Sequence, residues 1–159
     1  MKKTSNTKPK GKKSTARKFT IHYADRLEYS PALGCAVAGV VDMINQGKTG
    51  GSVLVADSYH VTYATIQGGS VAGVAVWYKT NSAQAWVTLL YVVAKHRRQG
   101  IAKALLAAVV CKAKQKKCTH VQLGVAMLNE GAQAFYRAIG FEQTHILCKL
   151  KIGTKKEAL

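Results

Sequence analysis

Leu89 to Leu106 brings residues able to hold an anion into one short stretch. Its apolar start (Leu89, Leu90, Tyr91, Val92, Val93) predicts a buried strand. A basic loop follows (Lys95, His96, Arg97, Arg98, Gln99), and Gly100 opens an amphipathic helix. The first amides of a helix have no intrahelical acceptor, and the helix dipole places partial positive charge there. Gly100 lets a phosphate approach the backbone, and small Ala102 keeps the next contact open. Arg97, Arg98 and Lys103 add formal positive charge. The chemistry offered is phosphate binding, although any strand-to-helix turn shares part of this pattern. Further along, Asn129 to Phe141 reads N-E-G-A-Q-A-F-Y-R-A-I-G-F, a good amphipathic helix with an Asn cap and a Gly stop.

These residues need elements to position them. Phe19 to Tyr23 alternates and predicts the first strand. Ser30-Pro31 predicts a helix start, with Leu33, Val37, Val40, Val41 and Ile44 as its apolar face and Gly47 as its stop. Gly34 and Gly39 are expected to permit close packing of that helix. Ser52 to Ala56 and His60 to Ile66 read as extended, forming either one bent strand or two. Gln67 to Ser70 is a hairpin signal, Val71 to Tyr78 returns as a strand, and Thr80 to Ser82 turns into Gln84 to Val93. The helix from Gly100 to about Lys116 carries Ile101, Ala104, Leu105, Ala108 and Val109 on one side. His120 to Val125 is the next strand, the helix from Asn129 follows, and Phe141 to Ile152 supplies further strand. Antiparallel strands followed by β-α-β-α-β predict a mixed α/β (α+β) domain, not a doubly wound sheet.

A chain of 159 residues fits one domain with a core. Residues 1–18 are rich in Lys, Ser and Thr and are expected to be a disordered basic tail; residues 19–152 form the domain, and 153–159 fray. No apolar run approaches the roughly 20 residues of a membrane helix, and the basic N-terminus lacks the apolar run of a secretory signal. Cytoplasmic location is expected, nuclear if the source is eukaryotic. The four cysteines (Cys35, Cys111, Cys118, Cys148) lack metal-type spacing and are read as reduced, mostly buried thiols, with no metal site.

The net charge is +17. Eight of the 24 cations lie in residues 1–18, which hold no acid, so the rest of the chain is itself at +9. Such a chain should attract polyanions, and the tail can seek nucleic acid or a ribosome as readily as it can serve solubility.

Together the two stretches resemble the acetyl-CoA signatures of the GCN5-related N-acetyltransferases. The first is an L-x-V strand, R/Q-x-x-G-x-G/A and a helix with paired leucines, here Leu90-Tyr91-Val92, Arg97 to Ala102 and Leu105-Leu106. The second is N-x-x-A-x-x-F-Y-x-x-x-G-F, here Asn129 to Phe141 with its spacing intact. The resemblance covers roughly Phe19 to Ile152 and is strongest from Leu89 to Phe141. It implies a mainly antiparallel sheet flanked by helices, with two strands splayed to form an acyl-CoA cleft, and a first helical region lining the acceptor side. It implies acetyl-CoA as cosubstrate, held by Leu90, Tyr91, Val92, Arg97, Arg98, Gln99, Gly100, Ile101, Ala102, Lys103, Asn129 and Tyr136. In this reading the amides of Leu90 to Val92 face the pantetheine and acetyl group, and Arg97 to Lys103 holds the pyrophosphate. Asn129 bonds the pantetheine arm, and Tyr136 sits near the sulfur.

Amine acetylation needs a neutral nucleophile, a polarised carbonyl and a proton for the departing thiolate. The resemblance assigns the carbonyl to a backbone amide, most plausibly that of Val92, and the proton to Tyr136 as catalytic acid. Family carboxylates that serve as base would fall at Trp86 and Gly124. Glu130, His120, His60, Asp57 and Thr88 are weak substitutes, and no base is assigned. The first expectation is therefore an acetyl-CoA-dependent N-acetyltransferase acting on an amine of unidentified origin, as monomer or homodimer and without a membrane partner. The alternative is a nucleic-acid- or ribosome-associated binding protein of the same fold with little turnover.

Overall fold

The computed structural model describes residues 19–26, 30–45 and 59–144, apart from the side chains of Met43 and Ile44. The basic tail, Gly47, the extended reading of 52–58, Asp57, Cys148, most of the last expected strand and the end at 153–159 lie outside these residues. Contacts divide the chain into two units, Met1–Gly124 and Val125–Leu159.

In the first unit five strands lie side by side in chain order: β1 (Phe19–Ala24), β2 (His60–Ile66), β3 (Val71–Lys79), β4 (Gln84–Val92) and β5 (His120–Leu123). The first four are antiparallel, with tight turns joining β2 to β3 and β3 to β4. Gly68 and Gly69 both sit at positive φ (+91° and +80°) in the β2–β3 turn, a conformation open to glycine. β5 pairs parallel to β4, reached through helix α2 (Ile101–Gln115), as parallel neighbours require a crossover. The mixed sheet flanked by helices expected from the sequence is therefore present.

Helix α1 (Leu33–Asn45) and α2 pack on opposite sheet faces. Ser30 Oγ accepts from the Ala32 N–H and steadies the entry to α1. Against α1 lie Val61, Val74, Val76 and Leu89. Against α2 the sheet presents the alternate positions, including Ala75 and Trp77. α2 answers with Ile101, Leu105, Leu106, Val109 and Ala113, all buried. Gly73 sits where α2 begins; a Cβ there would meet Ile101 Cγ2 at 3.1 Å and the Tyr91 carbonyl at 2.9 Å.

α1 buries only part of the face expected: Val40 packs on the core as read. Leu33, Val37 and Val41 are exposed (40, 50 and 50 %), while Ala32 and Ala36 are fully buried, with Cys35 and Val40 beside them. The cause is close approach: a Cβ on Gly39 would lie 2.6 Å from Cγ of Tyr91, so only small residues fit between α1 and β4. Gly34, by contrast, faces open space. The thiols also differ from expectation. Of the three described, Cys35 and Cys118 are half-buried and Cys111 is exposed.

The second unit holds α3 (Glu130–Ala138). Asn129 caps it, its side-chain oxygen accepting from the Ala132 N–H at 3.3 Å. Gly140, at φ +94°, ends it with bonds from Gly140 N–H to the Arg137 carbonyl and from Phe141 N–H to the Tyr136 carbonyl. Residues 141–144 are not strand.

Candidate active site

The site begins with an interruption in β4. Val76 pairs with Leu89 and Trp77 with Val87, so Thr88 is an extra residue, a bulge. Its hydroxyl donates to the Val76 carbonyl at 3.2 Å, holding the kink with a side chain. The β4–β5 ladder runs from Gln84↔His120 to Val87↔Leu123 and stops at that same point. Beyond it, β4 continues with a partner only on the β3 side. β5 itself ends at Leu123, which leaves that edge of β4 open.

Strand alternation then fixes which amides face the gap. Val93 N–H donates to the Ala72 carbonyl, so Val93 addresses the β3 side. Neighbouring backbone groups along a strand point to opposite edges. Val92 and Leu90 therefore turn their amides toward the open edge, and Tyr91 turns its amide toward β3. Of the amides of Leu90 to Val92, two thus turn to the open edge and the third serves the sheet. The Tyr91 ring packs against Gly39 of α1.

The basic loop follows at the end of this open half-strand. A short 3-10 turn, Ala94–His96, carries the chain round to Arg97. Arg97 is tied down: Nε donates to the Val92 carbonyl (2.9 Å), Nη2 pairs with Asp42 of α1 (3.1 Å), and the guanidinium lies 5.8 Å from the Tyr91 ring centroid. It thus braces the open strand end. Arg98 is exposed at φ +61°, and Gln99 reaches back toward the Lys95 carbonyl. Gly100 takes φ +82°, with open space where a side chain would stand. No side chain caps α2. The first intrahelical bond at this end runs from Ala104 N–H to the Gly100 carbonyl, which leaves the amides of Ile101, Ala102 and Lys103 as orphan donors. Ile101 is 1 % exposed, so it can offer a ligand only its backbone. Lys103 is exposed and Ala102 half-buried.

Within its own unit, Tyr136 is half-buried between the rings of Phe135 (5.3 Å) and Phe141 (5.6 Å). Burial pushes its phenol up to about 12, so it holds its proton through the whole neutral range. Glu130 is exposed in the first turn of α3, where a carboxylate complements the helix dipole.

The sequence pattern of the acetyltransferase (GNAT) family matches residues 42–141. The chain belongs to that family. No curated protein sequence matches the acetyltransferase. Solved structures share its fold. An aminoglycoside acetyltransferase, meta-AAC0020 from an uncultured soil metagenomic sample, seen with sisomicin, is 17 % identical with a TM-score of 0.63, covering 84 % of this chain and 97 % of its own. Aminoglycoside N-acetyltransferase AAC(6')-Iy, seen with CoA, is 20 % identical with a TM-score of 0.63, at 83 % and 98 % coverage. A ribosomal-protein-alanine N-acetyltransferase from Brucella melitensis biovar Abortus 2308 is 19 % identical with a TM-score of 0.64, at 84 % and 98 % coverage.

Membership makes this an acyl-CoA-utilising transferase, and its residues fit the cosubstrate: orphan amides and an unhindered Gly100 suit phosphates, and the open half of β4 suits an amide-rich arm. Of the bases weighed from sequence, His60, Thr88 and His120 lie among the described residues of the first unit. His60 begins β2, 4.7 Å from the Trp77 ring and 3.2 Å from the Tyr23 hydroxyl, and packs toward the C-terminal half of α2. Burial, then nearby Lys116, holds its pKa below the ordinary imidazole value. Thr88 is spent on the bulge, and His120 is exposed at the start of β5. Asp42 was not identified from sequence; a pairing 55 residues away leaves no local signal. Among the described residues no cluster of three metal-ligating side chains occurs, and no helix is long and apolar enough to cross a membrane.

Proposed function

We propose that the enzyme transfers an acetyl group from acetyl-CoA to a primary amine by direct attack on the thioester. The observation that carries this reading is the coincidence, on one strand end, of the β4 bulge, the loss of β5 and the uncapped start of α2. Together they present the Val92 amide and the helix donors to one side of the sheet.

Acetyl-CoA supplies an activated acetyl group and a thiolate leaving group. The Ile101, Ala102 and Lys103 amides, with Arg98 and Lys103 side chains, hold phosphate charge. The Val92 N–H donates a hydrogen bond where negative charge develops on the carbonyl oxygen. Its direction is preset, because the Val92 carbonyl is held by Arg97. Asn129 contributes to holding the pantetheine arm, and Tyr136 carries a proton for the sulfur. An amine arriving neutral, or deprotonated through water, needs no side-chain base; Trp86 and Gly124 occupy the positions where a carboxylate would serve.

The acceptor is read from charge. Between Ser58 and Asn129 the chain has nine Lys and Arg and no acid, a poor receiver for a free polycation such as an aminoglycoside. An amine on a protein or at a nucleic-acid-associated site fits better, in the manner of the ribosomal-protein acetyltransferase that shares the fold. A binding protein with little turnover is the second reading, motivated by the same Trp86 and Gly124. Calorimetry with acetyl-CoA followed by thiol release against pooled amines decides between them. Binding and turnover support the enzyme, binding without turnover on any pool supports the second reading, and no binding at all sinks the first.

A further inference from the structure

Most of the cations in the folded part of the chain are remote from the acyl site. α2 has 15 residues, about 22 Å at the helical rise, and its two ends differ. Its last turns and the segment after it carry Lys112, Lys114, Lys116 and Lys117. Lys79, at the end of β3, joins them, its Nζ donating to the Lys116 carbonyl at 2.8 Å. The adjoining turns are locked together by Thr119 N–H donating to the Ala83 carbonyl, and His120 begins β5 opposite Gln84. Five lysines and an exposed histidine thus share one end of the sheet. Among the described residues, Asp25 is the one carboxylate paired with them, 3.7 Å from Lys116 Nζ and itself 74 % exposed.

We infer that this end of the first unit binds the phosphodiester backbone of a nucleic acid. Backbone recognition calls for a row of mobile cations with polar groups between them that can bond phosphate and sugar oxygens. Lys79, Lys114 and Lys117 are exposed, and Thr80, Asn81, Ser82 and Thr119 stand among them. The positive φ of Lys117, +59°, turns the chain there and sends it away from the helix line followed by Lys112 and Lys116. A lipid surface is disfavoured by composition. Among the described residues of the first unit, the large exposed apolar side chains (Leu33, Val37, Val41) all belong to α1. CoA phosphates would bind at the opposite end of α2.

The test uses the full chain and a fluorescein-labelled single-stranded RNA of about 20 nucleotides, long enough to span the lysine cluster. Anisotropy is followed against salt for the native protein and for Lys114→Gln/Lys117→Asn; asparagine tolerates the left-handed conformation at 117. The double variant should bind about tenfold more weakly at ~0.1 M salt, and its log–log salt slope should fall by roughly 1.4, the single-strand value for two phosphates. Lys114→Arg, which keeps the charge, should retain native binding. Glutamine at Lys8, Lys10, Lys12 and Lys13 tests the tail separately. An unchanged slope in the double variant, with all the loss in the tail variant, overturns the inference. So does displacement of the RNA by saturating CoA, or binding to phosphatidylserine vesicles with none to RNA.

Discussion

Gln84 to Val87 and Thr88 to Val92 are consecutive parts of one strand with different tasks. The first half has partners on both edges, β3 on one and β5 on the other, and its Ala85 and Val87 are buried. Its backbone donors are consumed by the ladder, and its side chains hold the core. The second half begins with a bulge, loses β5 and turns Leu90 and Val92 amides into the opening. Sequence differs little between the halves; both are apolar and extended. The difference lies in which neighbour is present. A free backbone donor can thus be made by ending a ladder, with no special side chain, and the neighbouring residues then need only to fix its direction.

The largest break in that contrast comes from Gly100→Asp. Asp tolerates a left-handed backbone better than most residues, so the fold should persist, but its charge opposes phosphate at the orphan amides. Acetyl-CoA binding by calorimetry should fall about 100-fold or more, worth ~2.7 kcal/mol. Tyr136→Phe should lower kcat by roughly 100-fold while KM for acetyl-CoA stays within about twofold, as expected when an acid acts in the transition state. Unchanged kcat would remove Tyr136 as the acid.

A subtler effect concerns the brace. Arg97→Gln should cost about tenfold in kcat by loosening the Val92 end, and Asp42→Asn a few-fold, with the double variant close to the first alone. Arg98→Gln should instead raise KM for acetyl-CoA. If Arg97→Gln raises KM alone, Arg97 is a phosphate ligand and not a brace. In the paired half, Val87→Ala should cost about 1–2 kcal/mol in urea unfolding and leave kcat near native.

The smallest effect is one of pH. An exposed tyrosine ionises near 10, and burial puts Tyr136 at about 12. The folded state therefore keeps this proton while the unfolded chain loses it, and stability present below pH 10 declines as pH rises from about 10 to 12. Urea midpoints across that range should fall more steeply for the native protein than for Tyr136→Phe.

Much of this could be read from residue types. Phe19–Ala24, the glycine turn at Gly68 and Gly69, α2 from Gly100 and the Asn129 cap all follow local rules, and the structure has them. α1 was legible as a helix but only in part in its orientation. Apolar periodicity favours Leu33, Val37 and Val41, whereas the Tyr91 ring against Gly39 demands the small face. The bulge was equally hidden, since Thr88 fits an alternating strand and only the register against β3 exposes the extra residue. The arginine loop was read as uniformly anion-binding; the structure assigns Arg97 to Val92 and Asp42, a long-range pairing with no sequence pattern.

The most direct test is amide mapping by heteronuclear NMR during titration with CoA. Leu90, Val92 and Gly100 to Lys103 should shift, while Gln84 to Val87 stay still. Shifts confined to Lys112 to Lys117, or no shifts at all, would contradict the assignment of the open half of β4 and the start of α2 as the acyl-CoA site.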